Sequence, residues 1–176
     1  MMVKTLTGAN DSPEIRERLV LKALRVSLGH LNGCVLMIER NEAVMANDHL
    51  YYALFHAAKA ALFARGKDPS THQGVKMELS GVASENGLDR EFIRFFGNRE
   101  RLRSEMSYSY LGEVETFSIQ EVTTALQASH RWMKTLIDEL VRPLIPSVPQ
   151  FDELVRSSET GNSLLGDKGL WSGLHE

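Results

Sequence analysis

The chain has 176 residues and a mass of 19.8 kDa, a size that one hydrophobic core can serve, and with 43% apolar and 24% charged residues its composition is globular rather than disordered or fibrous. Twenty Lys and Arg against twenty-three Asp and Glu leave a formal net charge of -3, which argues against a protein that coats nucleic acid indiscriminately. Cys34 is the only cysteine, so neither an internal disulfide nor a thiolate zinc site can be built within one chain, and a buried, inert thiol is expected.

No run approaches the roughly eighteen uninterrupted apolar residues of a membrane span. The opening residues MMVKTLTGANDSPE also lack the apolar centre of a secretory signal. The expectation is a cytoplasmic protein with no membrane contact.

A long helix is predicted from Pro13 to about Glu39. Ile15, Leu19, Ala23, Val26, Gly33 and Met37 recur at helical steps, and Leu24, Leu28, Leu31, Val35 and Ile38 widen the apolar face. Ser12 before Pro13 is its start signal. A second helix, from about Ala43 to Ala64, is apolar or small on nearly every side and belongs in the middle of a bundle. RGKDPSTHQG breaks it, and Ser70 or Thr71 can cap a short third helix that ends near Gly87.

Helical patterning resumes from Asp89 to about Tyr110, with Phe92, Phe96, Leu102 and Met106 facing inward and the intervening arginines facing out. Ser118 and Glu121 have the spacing of a capping box at the head of the last strong helix, which stops before Pro143. With no extended strand pattern, the fold class is all-α, an antiparallel bundle of four to five helices over residues 1–142. Residues 143–176, rich in Pro and Gly, read as an irregular tail with little part in the core and at most a short helix at FDELV.

The histidines form no HExxH or comparable arrangement, and there is neither GxxxxGK nor GxGxxG, so no metal and no cofactor is expected. Charge is concentrated in one place: from Arg90 to Arg103 five arginines face only Glu91 and Glu100. Two segments stand out together, YYALFHAAKAAL followed by THQGV, and NRERLRSEMSYSY.

This pairing resembles the HEPN superfamily, in particular its short prokaryotic members, over roughly Glu42 to Leu140. The resemblance implies a helical bundle that forms homodimers. It also implies either a ribonuclease of a toxin–antitoxin or phage-defence system, or a non-catalytic module that binds RNA or nucleotide or docks a nucleotidyltransferase antitoxin, a nuclease or a defence effector. A helical scaffold subunit is the plainer alternative.

In the family's ribonucleases an arginine is followed four to six residues later by a histidine, and in some toxins a modifiable tyrosine comes next but one. By resemblance these positions fall on Arg103, Tyr108 and Tyr110. Tyrosine replaces the histidine here, and a phenol with a pKa near 10 is a poor proton shuttle at neutral pH.

Helix geometry sets Arg99, Arg103 and Tyr110 on one face and Tyr108 about 140° away from Arg103. Either the helix distorts near Ser107, or Tyr108 serves the core while Arg103 and Tyr110 line the site. Arg99 and Arg101 are further candidates for binding RNA or nucleotide. Tyr52 and His56 join them if their helix packs beside the arginines, and His72 either caps a helix or contacts a nucleotide.

Overall fold

The computed structural model describes residues 4–5, 12–108 and 118–159. Among these the chain forms six α-helices: α1 (Pro13–Glu39), α2 (Ala43–Phe63), α3 (His72–Glu85), α4 (Arg90–Tyr108), α5 (Ile119–Thr135) and α6 (Phe151–Glu159). A π-helical turn (Leu136–Val141) continues α5, and two-residue strands β1 (Lys4–Thr5) and β2 (Lys67–Asp68) pair antiparallel. The protein is therefore an all-α bundle, with this short ladder as its one extended feature among the described residues.

Local chemistry explains the helix ends. The Ser12 hydroxyl accepts from the Ile15 amide and Pro13 opens α1. Thr71 caps α3 through the Gly74 amide. Ser118 and Glu121 form the reciprocal capping box of α5. Asn41 turns α1 into α2 at φ 61°, with the Glu42 amide bonded to the Met37 carbonyl and the Asn41 amide to that of Ile38. This is a Schellman ending, in which asparagine tolerates the left-handed conformation.

α1 and α2 form the principal antiparallel pair. α1 carries enough apolar residues to cross a bilayer by length and composition alone. Here its Val20, Leu24, Leu28, Leu31 and Cys34 are buried in the core, while Val26 and Val35, expected inside, are 37% and 41% exposed. Two apolar stripes make a face wider than one neighbour can cover, and its margins stay open. α2 supplies Leu50, Leu54, Ala57, Ala58 and Ala61 to the centre. Burial pushes the Cys34 thiol up to about 12, in keeping with an inert side chain.

α4 is held by aromatic packing. Phe92 stacks on Trp132 of α5 at 4.6 Å between ring centroids, and the Trp132 indole donates to the Phe92 carbonyl at 2.8 Å. Phe96, 1% exposed, lies between Trp132 and Tyr51 of α2. These contacts fix which side of α4 faces α2.

The segment beyond Pro143 departs from expectation. Ile145, Val148, Phe151 and Leu154 are all buried, and α6 packs on α1 and α5. Asp138 accepts the Phe151 amide, and Lys134 pairs with Asp152. A chain that cannot continue as a long helix after Pro143 still returns its apolar residues to the core. The expected boundary at 142 therefore does not mark the edge of the bundle, and of the expected tail residues 160–176 lie outside the described residues.

Candidate functional site

The apolar sides of α2 leave a half-buried polar stripe on its remaining face: Asp48, His49, Tyr52, His56 and Lys59. These positions recur at three- and four-residue steps, so they form one line along the helix. His30 of α1 lies against this line and Arg103 of α4 reaches it from the other side. The arrangement depends on a close approach of α1 and α2: a methyl group at Gly33 would sit 2.6 Å from Nδ1 of His49, so the imidazole fills the place of a side chain there.

Arg103 is half-buried rather than turned to solvent as the sequence reading expects. Its Nη2 donates to the Tyr52 hydroxyl at 3.0 Å, and its guanidinium carbon lies 5.3 Å and 5.8 Å from the ring centroids of Tyr52 and Tyr51. Two aromatic faces thus hold the cation. Its Nε has no hydrogen-bond partner among the described residues. Arg99, one turn earlier, is also half-buried, with its guanidinium 5.9 Å from the Phe95 ring centroid and its Nε and Nη1 without hydrogen-bond partners among the described residues. Burial holds Arg99 below its usual value, Arg101 adds to that and Glu121 opposes it. The outward orientation expected for the arginines holds for Arg94 and Arg101 but not for these two, because the aromatic anchoring of α4 turns Arg99 and Arg103 toward its neighbours.

Three imidazoles gather beside Arg103. His30 and His49 meet through their Nδ1 atoms at 3.1 Å, so one nitrogen donates and the other accepts. His30 also stacks on Tyr52 at 5.3 Å and on His56 at 5.8 Å, the latter pair nearly parallel at 5°. Burial lowers His30, with the His49 charge adding to the effect. Burial likewise brings His56 down to about 4, with further lowering from His30, Lys59 and His72. At neutral pH His30 and His56 are therefore neutral rings.

Asp48 is the acid on this face. Its carboxyl is raised by burial against the opposing pull of Arg103 and His49, and its Oδ1 has no hydrogen-bond partner among the described residues. Lys59 is engaged by Asp68 at 2.5 Å and by the Pro69 carbonyl at 2.9 Å.

His72 is not the cap of α3, since Thr71 takes that role. It is the exposed first residue of the helix, its Nδ1 lies 2.5 Å from the Tyr51 hydroxyl, and its ring packs 4.5 Å from that of Phe55. Burial raises the Tyr51 phenol, with Glu100 adding and Arg103 opposing, so the hydroxyl keeps its proton. Arg101 stands apart: it is exposed and pairs with Glu105 at 2.7 Å on the far side of α4. α4 stays helical through Ser107 to its last residue, Tyr108, so the expected alternative of a distortion there is not seen. Tyr110 lies outside the described residues.

The structure thus brings Tyr52, His56 and Arg103 together, with Arg99 one turn away on the same helix and His72 reached through Tyr51. His30, His49 and Asp48 complete the group and were not singled out from sequence. Their signal was present for α2, where Asp48, His49, Tyr52 and His56 share one helical line. Nothing local marks His30, which arrives from another helix. Among the described residues no group of three or more His, Cys, Asp or Glu is arranged to hold a metal ion.

Comparison with known proteins agrees with this architecture. The HEPN domain model matches residues 21–140. Among curated proteins, the chain is 36% identical over 65 residues to a UPF0332 protein of Pyrococcus horikoshii, covering 37% of this chain and 43% of that one. It is 38% identical over 64 residues to a UPF0332 protein of Archaeoglobus fulgidus, covering 36% and 51%. A third, from Thermotoga maritima, is 25% identical over 113 residues, covering 64% and 86%. The match thus spans about half the length of the first two relatives. With the family's domain matched across most of the chain and an all-α bundle to carry it, this protein belongs to the HEPN family.

Proposed function

We propose that the protein binds the phosphodiester backbone of RNA, or the phosphates of a nucleotide, through Arg103 and the polar line of α2. The observation that carries this reading is the state of Arg103. It is a half-buried cation seated over two tyrosine rings, and its one hydrogen-bonded partner among the described residues is the Tyr52 hydroxyl. A guanidinium held in place without a carboxylate bonded to it has donors left for an oxyanion, and a fixed fork suits phosphate.

Binding is favoured over cleavage, because α4 contains no histidine and tyrosine stands at 108. Tyr110 remains the residue of this segment that a nucleotidyltransferase partner would modify. In this reading the chain acts as a homodimer with its α4 helices along a shared cleft, as the RNA-handling member of a toxin–antitoxin or phage-defence pair. Light scattering that returned the mass of a single chain at micromolar concentration would remove the dimer from it.

The direct test is fluorescence anisotropy with a labelled single-stranded RNA. Arg103→Ala should weaken binding by about 1.5–3 kcal/mol, the scale of a charge-assisted contact. Arg103→Lys should recover part of the loss, since it keeps the charge but not the planar fork. A folded Arg103→Ala variant that binds RNA as tightly as the parent protein overturns the assignment.

A further inference from the structure

The polar face beside Arg103 holds more imidazoles than packing requires. His30, His49 and His56 come from two helices and touch one another through a hydrogen bond and a parallel stack, and Tyr52 links them to Arg103 by ring contacts on both sides. The charged and titratable groups facing them are Asp48, Lys59 and Tyr52 on α2, Arg103 on α4 and His72 on α3. Lys59, which acts on His56, is already matched by Asp68, while Arg103 reaches the cluster through Tyr52 and Asp48 lies against His49 and Arg103. Asp48 is held above its usual value by burial, so it is a weak counterion.

A half-buried face of this kind resists protonation, since each added proton is half-desolvated and sits beside other cations. A phosphodiester reverses both conditions. It supplies a permanent negative charge across the range in which imidazole titrates, and it accepts hydrogen bonds from imidazolium N–H groups.

We propose that His30, His49 and His56 form, beside Arg103, a proton-coupled subsite for the RNA phosphodiester: seating the phosphate draws protons from solvent onto the imidazoles, and affinity rises as pH falls. This rests on the reading of Arg103 as a phosphate contact and adds a second element to it. The protons come from bulk buffer, settle on ring nitrogens that were lone-pair acceptors, and return when the strand leaves. The His30–His49 contact limits the uptake. It needs one acceptor nitrogen, so both Nδ1 atoms cannot be protonated while that bond persists.

Oligouridylate is a suitable probe, because neither its phosphodiesters nor its bases titrate in the range of interest. Isothermal calorimetry of the unmodified protein in two buffers of different ionisation enthalpy reads the coupled protons directly. The expected result is a net uptake of about one proton per chain near pH 6, with affinity rising about tenfold between about pH 8 and pH 5.5. The combined variant His30→Gln, His49→Gln and His56→Gln should flatten that dependence.

Nuclear magnetic resonance on the unmodified protein gives a second measurement that needs no variant. The titration midpoints of His30 and His56, both held down in the free protein by burial, should rise on adding oligouridylate. Arg103-dependent binding with no proton uptake and no rise in the His30 and His56 midpoints overturns the inference and leaves the reading of Arg103 intact. Absence of any oligouridylate binding overturns both. A pH dependence that survives unchanged in a folded triple variant also overturns the inference, since it would then arise from general charge.

Discussion

The two sides of α4 carry the same residue type in opposite circumstances. On the outer side Arg94 and Arg101 are exposed and paired with Glu91 and Glu105 three and four residues away. On the inner side Arg99 and Arg103 are half-buried, lie against aromatic rings, and have guanidinium nitrogens without hydrogen-bond partners among the described residues. Exposed helical ion pairs contribute a few tenths of a kcal/mol and are screened by salt. A half-buried arginine without a bonded carboxylate carries a desolvation cost, and a ligand can offset it. Charge on a helix therefore says little until its surroundings are known, and the inner pair is where binding should reside.

What holds these two sides apart is the anchoring of α4, so breaking the anchor should have the largest effect. Phe96 lies between Tyr51 and Trp132 and is almost wholly buried. Phe96→Ala should cost about 3–5 kcal/mol of stability, from lost burial and the cavity left behind. Urea denaturation measures it. A loss below about 1 kcal/mol would mean that α4 is held elsewhere and that the distinction between its faces is not set by this contact.

Much of the bundle was legible because helix ends are written in local chemistry. Ser12, Thr71 and the Ser118–Glu121 box each mark a start that the structure keeps. The core contribution beyond Pro143 was not legible, since Pro146 and Pro149 break up the segment and hide the three-residue spacing at which Ile145, Val148, Phe151 and Leu154 return to the core. The candidate site was legible in part. Arg103, Tyr52 and His56 could be named, but their meeting depends on how α2 and α4 rotate against each other, which aromatic packing decides. His30 and His49 lie nineteen residues apart on two helices and become neighbours only when α1 and α2 pack closely at Gly33.

The neutral imidazoles predict an effect of intermediate size on the inner side alone. His56 sits at about 4 in the folded protein against 6.5 for the free ring. Between these values the unfolded chain binds a proton that the folded chain does not, so stability is complete above about pH 6.5 and falls as pH drops toward 4. After allowing for partial exposure of the ring, the loss should be about 2 kcal/mol. His56→Gln removes the titrating group, so the stability lost between about pH 7 and pH 4.5 should be smaller in the variant by about that amount. Parallel pH profiles for the two proteins would show that His56 takes up its proton without penalty, and the inner face would then be wetter than its packing indicates.

The smallest effect should come from the outer side. Arg101 makes a two-oxygen contact with Glu105, but both side chains are more than half exposed, at 61% and 54%, so solvent competes for each hydrogen bond. Arg101→Ala should change stability by less than about 0.5 kcal/mol. Its effect on RNA affinity should be about twofold or less at physiological salt, where the Debye length of about 8 Å weakens its reach around the helix to a strand seated at Arg103. The decisive comparison is the salt dependence of the two alanine variants. Removing a true phosphate contact lowers the slope of log affinity against log salt by about 0.7 for single-stranded RNA, whereas removing a screened distant charge leaves it nearly unchanged. Arg103→Ala should show the first behaviour and Arg101→Ala the second. If the two variants lose the same slope, both arginines touch the strand, and the binding surface runs around α4 rather than along its inner side.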